Sequence, residues 1–153
     1  MSKTILYEGP DISKHQGTVN IKEVRDAGFK RIGIRAGYGK NNIDQQFVAN
    51  AMACYNLKVP VLLYWFSYAY NEAMAKSEAE YVCKQAGKYW EKCPIAFDLE
   101  YDSINYARKN GVAVTKALAT KMAIAFLKQR LPEKLLRHGS DHSRGRRCLC
   151  VVC

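Results

Sequence analysis

Asp98 and Glu100, in the run Ala96-Phe97-Asp98-Leu99-Glu100-Tyr101, have the types and spacing that point most directly to chemistry. Side chains alternate across a β-strand. Two carboxyls two positions apart therefore share one face, with Phe97, Leu99 and Tyr101 on the other. Like charges that close repel, so one group keeps its proton near neutral pH while its neighbour stays ionised. An acid beside an anion is the pairing that cleavage of a glycosidic bond requires. The motif is short, and the same spacing also serves as two solvated acids at a loop start or as members of ion pairs.

Residues at other expected strand ends add to the pair. Asp11 lies in Pro10-Asp11-Ile12-Ser13-Lys14-His15-Gln16-Gly17 at the end of a first strand, with Gln16 just beyond it. Arg35 lies on a second strand, and Tyr64, Trp65 and Tyr68 on a third. In a parallel sheet these ends converge on one rim, where barrel enzymes keep their catalytic groups. Carboxylates, a guanidinium and aromatic faces suit a sugar, because aromatic rings stack on pyranose rings. Tyr64 and Trp65 are strand neighbours, so one of the two must point into the core.

The elements that must hold these residues alternate. Strands are expected over about 4–12, 31–38, 59–68 and 95–101, since each run is apolar nearly throughout. Helices are expected over about 21–27, closed by Gly28, and from an Asp44 cap through Phe47, Ala51, Cys54 and Tyr55. A longer helix runs from an Asn71 cap to about 90, with Ala75, Ala79, Val82, Ala86 and Trp90 on one stripe. A last helix covers about 114–130. Four strand–helix units of roughly 30 residues imply a parallel sheet with right-handed crossovers. An open doubly wound sheet and a closed (β/α) barrel fit this pattern equally.

Four segments in order, Asp11-Ile-Ser-Lys-His-Gln-Gly17, Ile34-Arg-Ala-Gly-Tyr-Gly39, Tyr64-Trp-Phe-Ser-Tyr-Ala69 and Phe97-Asp-Leu-Glu100, resemble glycoside hydrolase family 25. These are the Chalaropsis-type lysozymes of phage endolysins and bacterial autolysins. The resemblance covers roughly residues 4 to 130. It implies an α/β fold, a (β/α) barrel of TIM type with its first four β/α units present and its C-terminal strands missing. It also implies hydrolysis of the β-1,4 bond between N-acetylmuramic acid and N-acetylglucosamine in peptidoglycan. Glu100 matches the general acid/base. Asp98 matches the second carboxylate, acting as nucleophile or as stabiliser of the substrate's own N-acetyl group. Asp11 matches a supporting acid, and Arg35, Tyr64, Trp65, Gln16 and Tyr68 are candidate substrate positions. No metal or cofactor is implied.

The resemblance stops near Arg130. Pro132 ends the helical pattern. Residues 131–153 form a second, basic segment with five Lys/Arg against two Asp/Glu and no period, expected to be a disordered tail. The abrupt change suggests a truncation or a shifted reading frame after the 1–130 domain. A barrel missing strands would expose sheet edges, which favours self-association. Cys148, Cys150 and Cys153 with His138 and His142 match no standard zinc spacing.

The bulk numbers set the frame. A chain of 153 residues with 48% hydrophobic and 25% charged residues is an ordinary soluble domain, not a disordered chain. The net charge of +10 serves solubility or attraction to a polyanion. The anionic bacterial wall, with its glycan strands, is the partner the resemblance implies. Nucleic acid would need the tail residues Arg144, Arg146 and Arg147, and no nucleic-acid motif accompanies them. No apolar run approaches the roughly 20 residues of a membrane span, and residues 1–8 carry no secretory signal pattern. The protein is therefore expected to be made in the cytoplasm and to reach the wall by another route. Cys54, Cys83 and Cys93 are expected to be buried or half-buried thiols. The alternative function is a catalytically impaired, wall-binding remnant of such an enzyme.

Overall fold

The structure, a computed structural model, describes residues 8–90, 93–129 and 151–152, with backbone alone for 87–90 and 151–152. Strands β1 (Asp11–Ile12), β2 (Ile32–Tyr38), β4 (Val61–Phe66) and β5 (Ile95–Asp98) lie side by side, each parallel to the next. A short strand β3 (Asn42–Ile43) turns back antiparallel onto the end of β2. Strand β6 (Val151–Val152) pairs in parallel on the far side of β5. Helices α1 (Ile21–Asp26), α2 (Phe47–Asn56), α3 (Glu72–Trp90), α4 (Tyr101–Lys109) and α5 (Lys116–Lys128) fill the intervals. The result is the expected alternation with a parallel sheet, but among the described residues the sheet is an open arc and does not close into a barrel.

Register divides the sheet into two faces. Ile12, Ile34, Leu63 and Ile95 form one row of partners, and Trp65 and Phe97 another. With Ile32 and Val61, these side chains are buried in a single core cluster under the helices. Phe97 meets Phe126 of α5 at a ring separation of 5.1 Å. Burial of each such large side chain stabilises the fold by about 1.5–3 kcal/mol. The opposite face carries Asp11, Arg35, Tyr38, Leu62, Tyr64, Phe66, Ala96 and Asp98, and most of these are only half-buried.

A β-bulge at Ala36 sets the phase of the site-bearing end of β2. Arg35 pairs with Tyr64, but Gly37 pairs with Trp65. The extra residue swings Gly37 toward the Trp65 ring and returns Tyr38 to the Arg35 face. A Cβ at Gly37 would collide with the Asn42 carbonyl oxygen and with the Trp65 ring, so the bulge requires glycine there.

The helices show why their sequences fold locally. Asn71 caps α3 as expected, its Oδ1 accepting from the Met74 N–H at 2.9 Å. Ala75, Ala79, Val82 and Ala86 are buried on one stripe, while the Trp90 side chain lies outside the description. Thr115 caps α5 through the Leu118 N–H. Phe47, Ala51 and Cys54 of α2 face inward, whereas Tyr55 is exposed. Cys83 and Cys93 are half-buried.

Several expectations are corrected. The last expected strand stops at Asp98 rather than 101, because α4 begins at Tyr101. Helix α4 was not expected. Asp44 is not a simple cap but a buried counter-ion. The expectation of a disordered tail over 131–153 falls almost wholly outside the described residues, which include only the backbone of Val151–Val152, paired as β6; His138, His142, Cys148, Cys150 and Cys153 also lie outside them. Of the first expected strand, residues 4–7 also lie outside. No helix among the described residues is long and apolar enough to cross a membrane.

Candidate active site

The C-terminal ends of β1, β2, β4 and β5 bring Asp11, Arg35, Tyr64, Asp98 and Glu100 into one electrostatic group. Asp98 is the last residue of β5 and is only 5% exposed. Burial pushes its carboxyl up to about 6, the charges of Glu100 and Asp11 push the same way, and Arg35 opposes them. Among the described residues its Oδ1 has no hydrogen-bond partner. A buried, unpartnered carboxyl oxygen is costly, and such costs concentrate where chemistry is done.

Glu100 sits two residues on, extended and exposed, as the residue capping α4. Its N–H donates to Ser103 Oγ at 3.1 Å. The pair is therefore one buried carboxyl and one solvent-facing carboxyl, not two equivalents on one strand.

Asp11 is exposed at the start of the sheet edge and accepts a hydrogen bond from Tyr64 Oη at 2.9 Å. Burial and the Asp11 charge raise the Tyr64 phenol, so it stays a neutral donor. Arg35 Nε donates to Asp44 Oδ2 at 2.8 Å, and Nη2 lies 2.8 Å from the same oxygen. Asp44 is buried and also accepts from the Lys14 and Gln46 amides. Arg35, 12% exposed in its side chain, is thus fixed in place, with its guanidinium 5.6 Å from the Tyr38 ring centre. This arrangement holds a positive charge near Asp98 without bringing the guanidinium fully into solvent.

Two expected substrate positions point elsewhere. Trp65 is 0% exposed in the core, edge-on to Tyr81 at 6.1 Å, so Tyr64 is the member of that neighbouring pair that faces the site. Gln16 Oε1 accepts from the Ser13 N–H at 2.8 Å and from Ser13 Oγ at 3.0 Å, which makes it the lock of the turn after β1. Tyr68 does line open space. Its ring lies 5.2 Å from both Phe66 and Tyr106. It borders a cavity of about 420 Å³ with Asp102, Asn105 and Arg108, and another of about 570 Å³ with Lys40, Tyr70 and Met74. Tyr106 borders both cavities too.

Sequence reasoning missed Tyr106, because the helix that carries it was missed. It also missed Glu78, a buried carboxyl on α3 that accepts from Ser67 Oγ and from the Tyr68 N–H. The available signal was a lone acid on the stripe of Ala75, Ala79 and Val82.

The chain resembles known proteins in sequence and in fold. The profile of glycosyl hydrolases family 25 matches residues 10–132. No match was found among curated proteins. Among solved structures, the modular autolysin LytC from Streptococcus pneumoniae, in complex with a synthetic peptidoglycan ligand, superposes with a TM-score of 0.66 at 24% identity. That alignment covers 84% of this chain and 30% of the autolysin. A family 25 glycosyl hydrolase from Bacillus anthracis aligns with a TM-score of 0.63 at 24% identity, over 84% of this chain and 59% of its own. A family 25 lysozyme from Aspergillus fumigatus gives 0.62 at 19% identity, over 81% of this chain and 59% of its own. These likenesses carry the fold, and the chain spans less than two thirds of each of these three structures.

Proposed function

The chain belongs to glycosyl hydrolases family 25, and from that membership we propose that it hydrolyses the β-1,4 bond between N-acetylmuramic acid and N-acetylglucosamine in peptidoglycan. The single observation that carries the proposal is Asp98. It is a buried carboxyl with a free oxygen, raised to about 6, beside Glu100 and Asp11 at the ends of parallel strands. The open sheet arc then serves as part of a TIM-type barrel, with the half-buried face inside and the helices outside.

In this reading Glu100 gives its proton to the glycosidic oxygen as the bond to the anomeric carbon breaks. A sugar laid over its exposed carboxyl would exclude water from the bond to be cut. The anomeric carbon is taken either by an oxygen of Asp98 or by the oxygen of the substrate's acetamido group, and in the second case the free Asp98 Oδ1 would accept a hydrogen bond from that group's N–H. Water then attacks that carbon and displaces the Asp98 or acetamido oxygen, Glu100 takes the water's proton, and the new hydroxyl completes the reducing end. Asp11, tied to Tyr64, supports the negative cluster, and Tyr68 offers its ring to a sugar. The net charge of +10 favours encounter with an anionic wall. The exposed edges of the arc would also permit two copies to associate.

The test is release of reducing ends from purified peptidoglycan. The wild-type chain should release them, and Glu100→Gln should reduce the rate at least about a hundredfold. A folded wild-type chain that performs no better than the variant would defeat the proposal. Retention on cell walls without reducing ends would instead favour the wall-binding alternative.

A further inference from the structure

Glu78 is a buried acid that the reaction above does not use. It is 4% exposed on a face of α3 otherwise made of Ala75, Ala79 and Val82. Oε2 accepts from Ser67 Oγ at 2.6 Å, and Oε1 accepts from the Tyr68 N–H at 3.1 Å. Ser67 Oγ also accepts from the Ala69 N–H at 3.0 Å. The Ser67 N–H donates to the Asp98 carbonyl oxygen at 2.8 Å. One carboxyl therefore organises the turn after β4, and that turn grips the backbone of Asp98.

A carboxyl in this place is expensive. Burial pushes Glu78 up to about 7, against the pull of Ser67 and the Tyr68 amide. A buried acid of this kind often stabilises less than an apolar residue of the same shape would. Its two oxygens, however, satisfy two donors whose directions fix Ser67 and Tyr68 together, a specificity that packing alone does not supply.

We propose that Glu78 is a positioning residue for the glycan-cleaving reaction: through Ser67 it fixes the backbone of Asp98, and through the Tyr68 amide the turn that carries the Tyr68 ring. This inference rests on the muramidase reading above. It extends the site to a residue on α3, beside the cavity that Tyr68 borders.

Glu78→Gln keeps the size but presents one acceptor oxygen to two donors. In that variant kcat on purified peptidoglycan should fall about tenfold while KM changes less than about threefold, the pattern of a misplaced reacting group. The Tyr68 and Ala69 amides should exchange with deuterium faster than in wild type. Ser67→Ala breaks the same chain of bonds, so the double variant should be no slower than the slower single variant, within about twofold. A folded Glu78→Gln with wild-type kcat, or losses that multiply in the double variant, would overturn the proposal. Should Glu78→Gln not fold, Ser67→Ala carries the kcat and exchange measurements. If the wild-type chain itself releases no reducing ends, the muramidase reading fails and amide exchange decides separately: faster exchange in the variant supports positioning, and unchanged exchange rejects it.

Discussion

The two faces of one sheet are built from the same four parallel strands and obey opposite rules. The helix-covered face presents Ile12, Ile34, Leu63, Trp65, Ile95 and Phe97, all buried and all apolar. The other presents Asp11, Arg35, Tyr64 and Asp98, groups that repel, pair or strain against burial. Strand alternation makes this possible, because each residue added to the core delivers its neighbour to the site. The core face supplies the stability, and the polar face uses part of it to hold a carboxyl that would rather be neutral.

Substitutions on the two faces should therefore differ in kind. The largest effect is expected from Trp65→Ala on the core face. A cavity there should cost about 3–5 kcal/mol in urea unfolding. A loss under about 1 kcal/mol would mean that the indole is not packed as described.

Asp98→Asn on the polar face should do the reverse. The folded-state value of about 6 lies above the ordinary 3.8, so the native protein holds this proton more tightly than the unfolded chain does. Stability from this group is then greatest at low pH and declines as pH rises from about 4 to about 6. The asparagine variant escapes that decline and should be more stable at pH 7 by about 1–3 kcal/mol, with the gain vanishing near pH 4. It should also lose glycan cleavage. Thermal unfolding at the two pH values checks the first statement, and reducing-end assays check the second.

Tyr64→Phe should have the smallest effect on stability, about 1 kcal/mol, since it deletes one hydrogen bond at a partly open position. Its activity loss should exceed what that stability change explains, because Asp11 loses its only described hydrogen-bond donor from β4. Equal, small effects on both would place Tyr64 outside the working site.

Much of this division was legible in the sequence, and the reasons it was partly hidden are physical. Alternation and the Asp-x-Glu run located Asp98 and Glu100, and strand ends located Asp11 and Tyr64. Alternation has a period but no visible phase, so Tyr64 and Trp65 could not be told apart until the pairing of β4 with β2 fixed which side faced the helices. The bulge at Ala36 leaves no mark in a run of small residues, so Gly37 looked ordinary. Helix α4 escaped because only Ser103 and Ala107 are buried on it, too few to show a 3.6-residue stripe. Glu100 was then read as a strand residue. The same error concealed the contrast between a buried Asp98 and an exposed Glu100. Arg35 and Gln16 were recognised as residues near the site, but their partners Asp44 and Ser13 depend on a turn and on a contact 9 residues away, which spacing alone does not reveal.

The most direct test of the central claim is a carbon-13 NMR titration of the Asp98 side-chain carboxyl in the ligand-free protein. A midpoint near 6 is expected, moving down when Glu100→Gln removes the neighbouring charge. A midpoint near the ordinary 3.8, unmoved by that substitution, would contradict a buried acid coupled to Glu100.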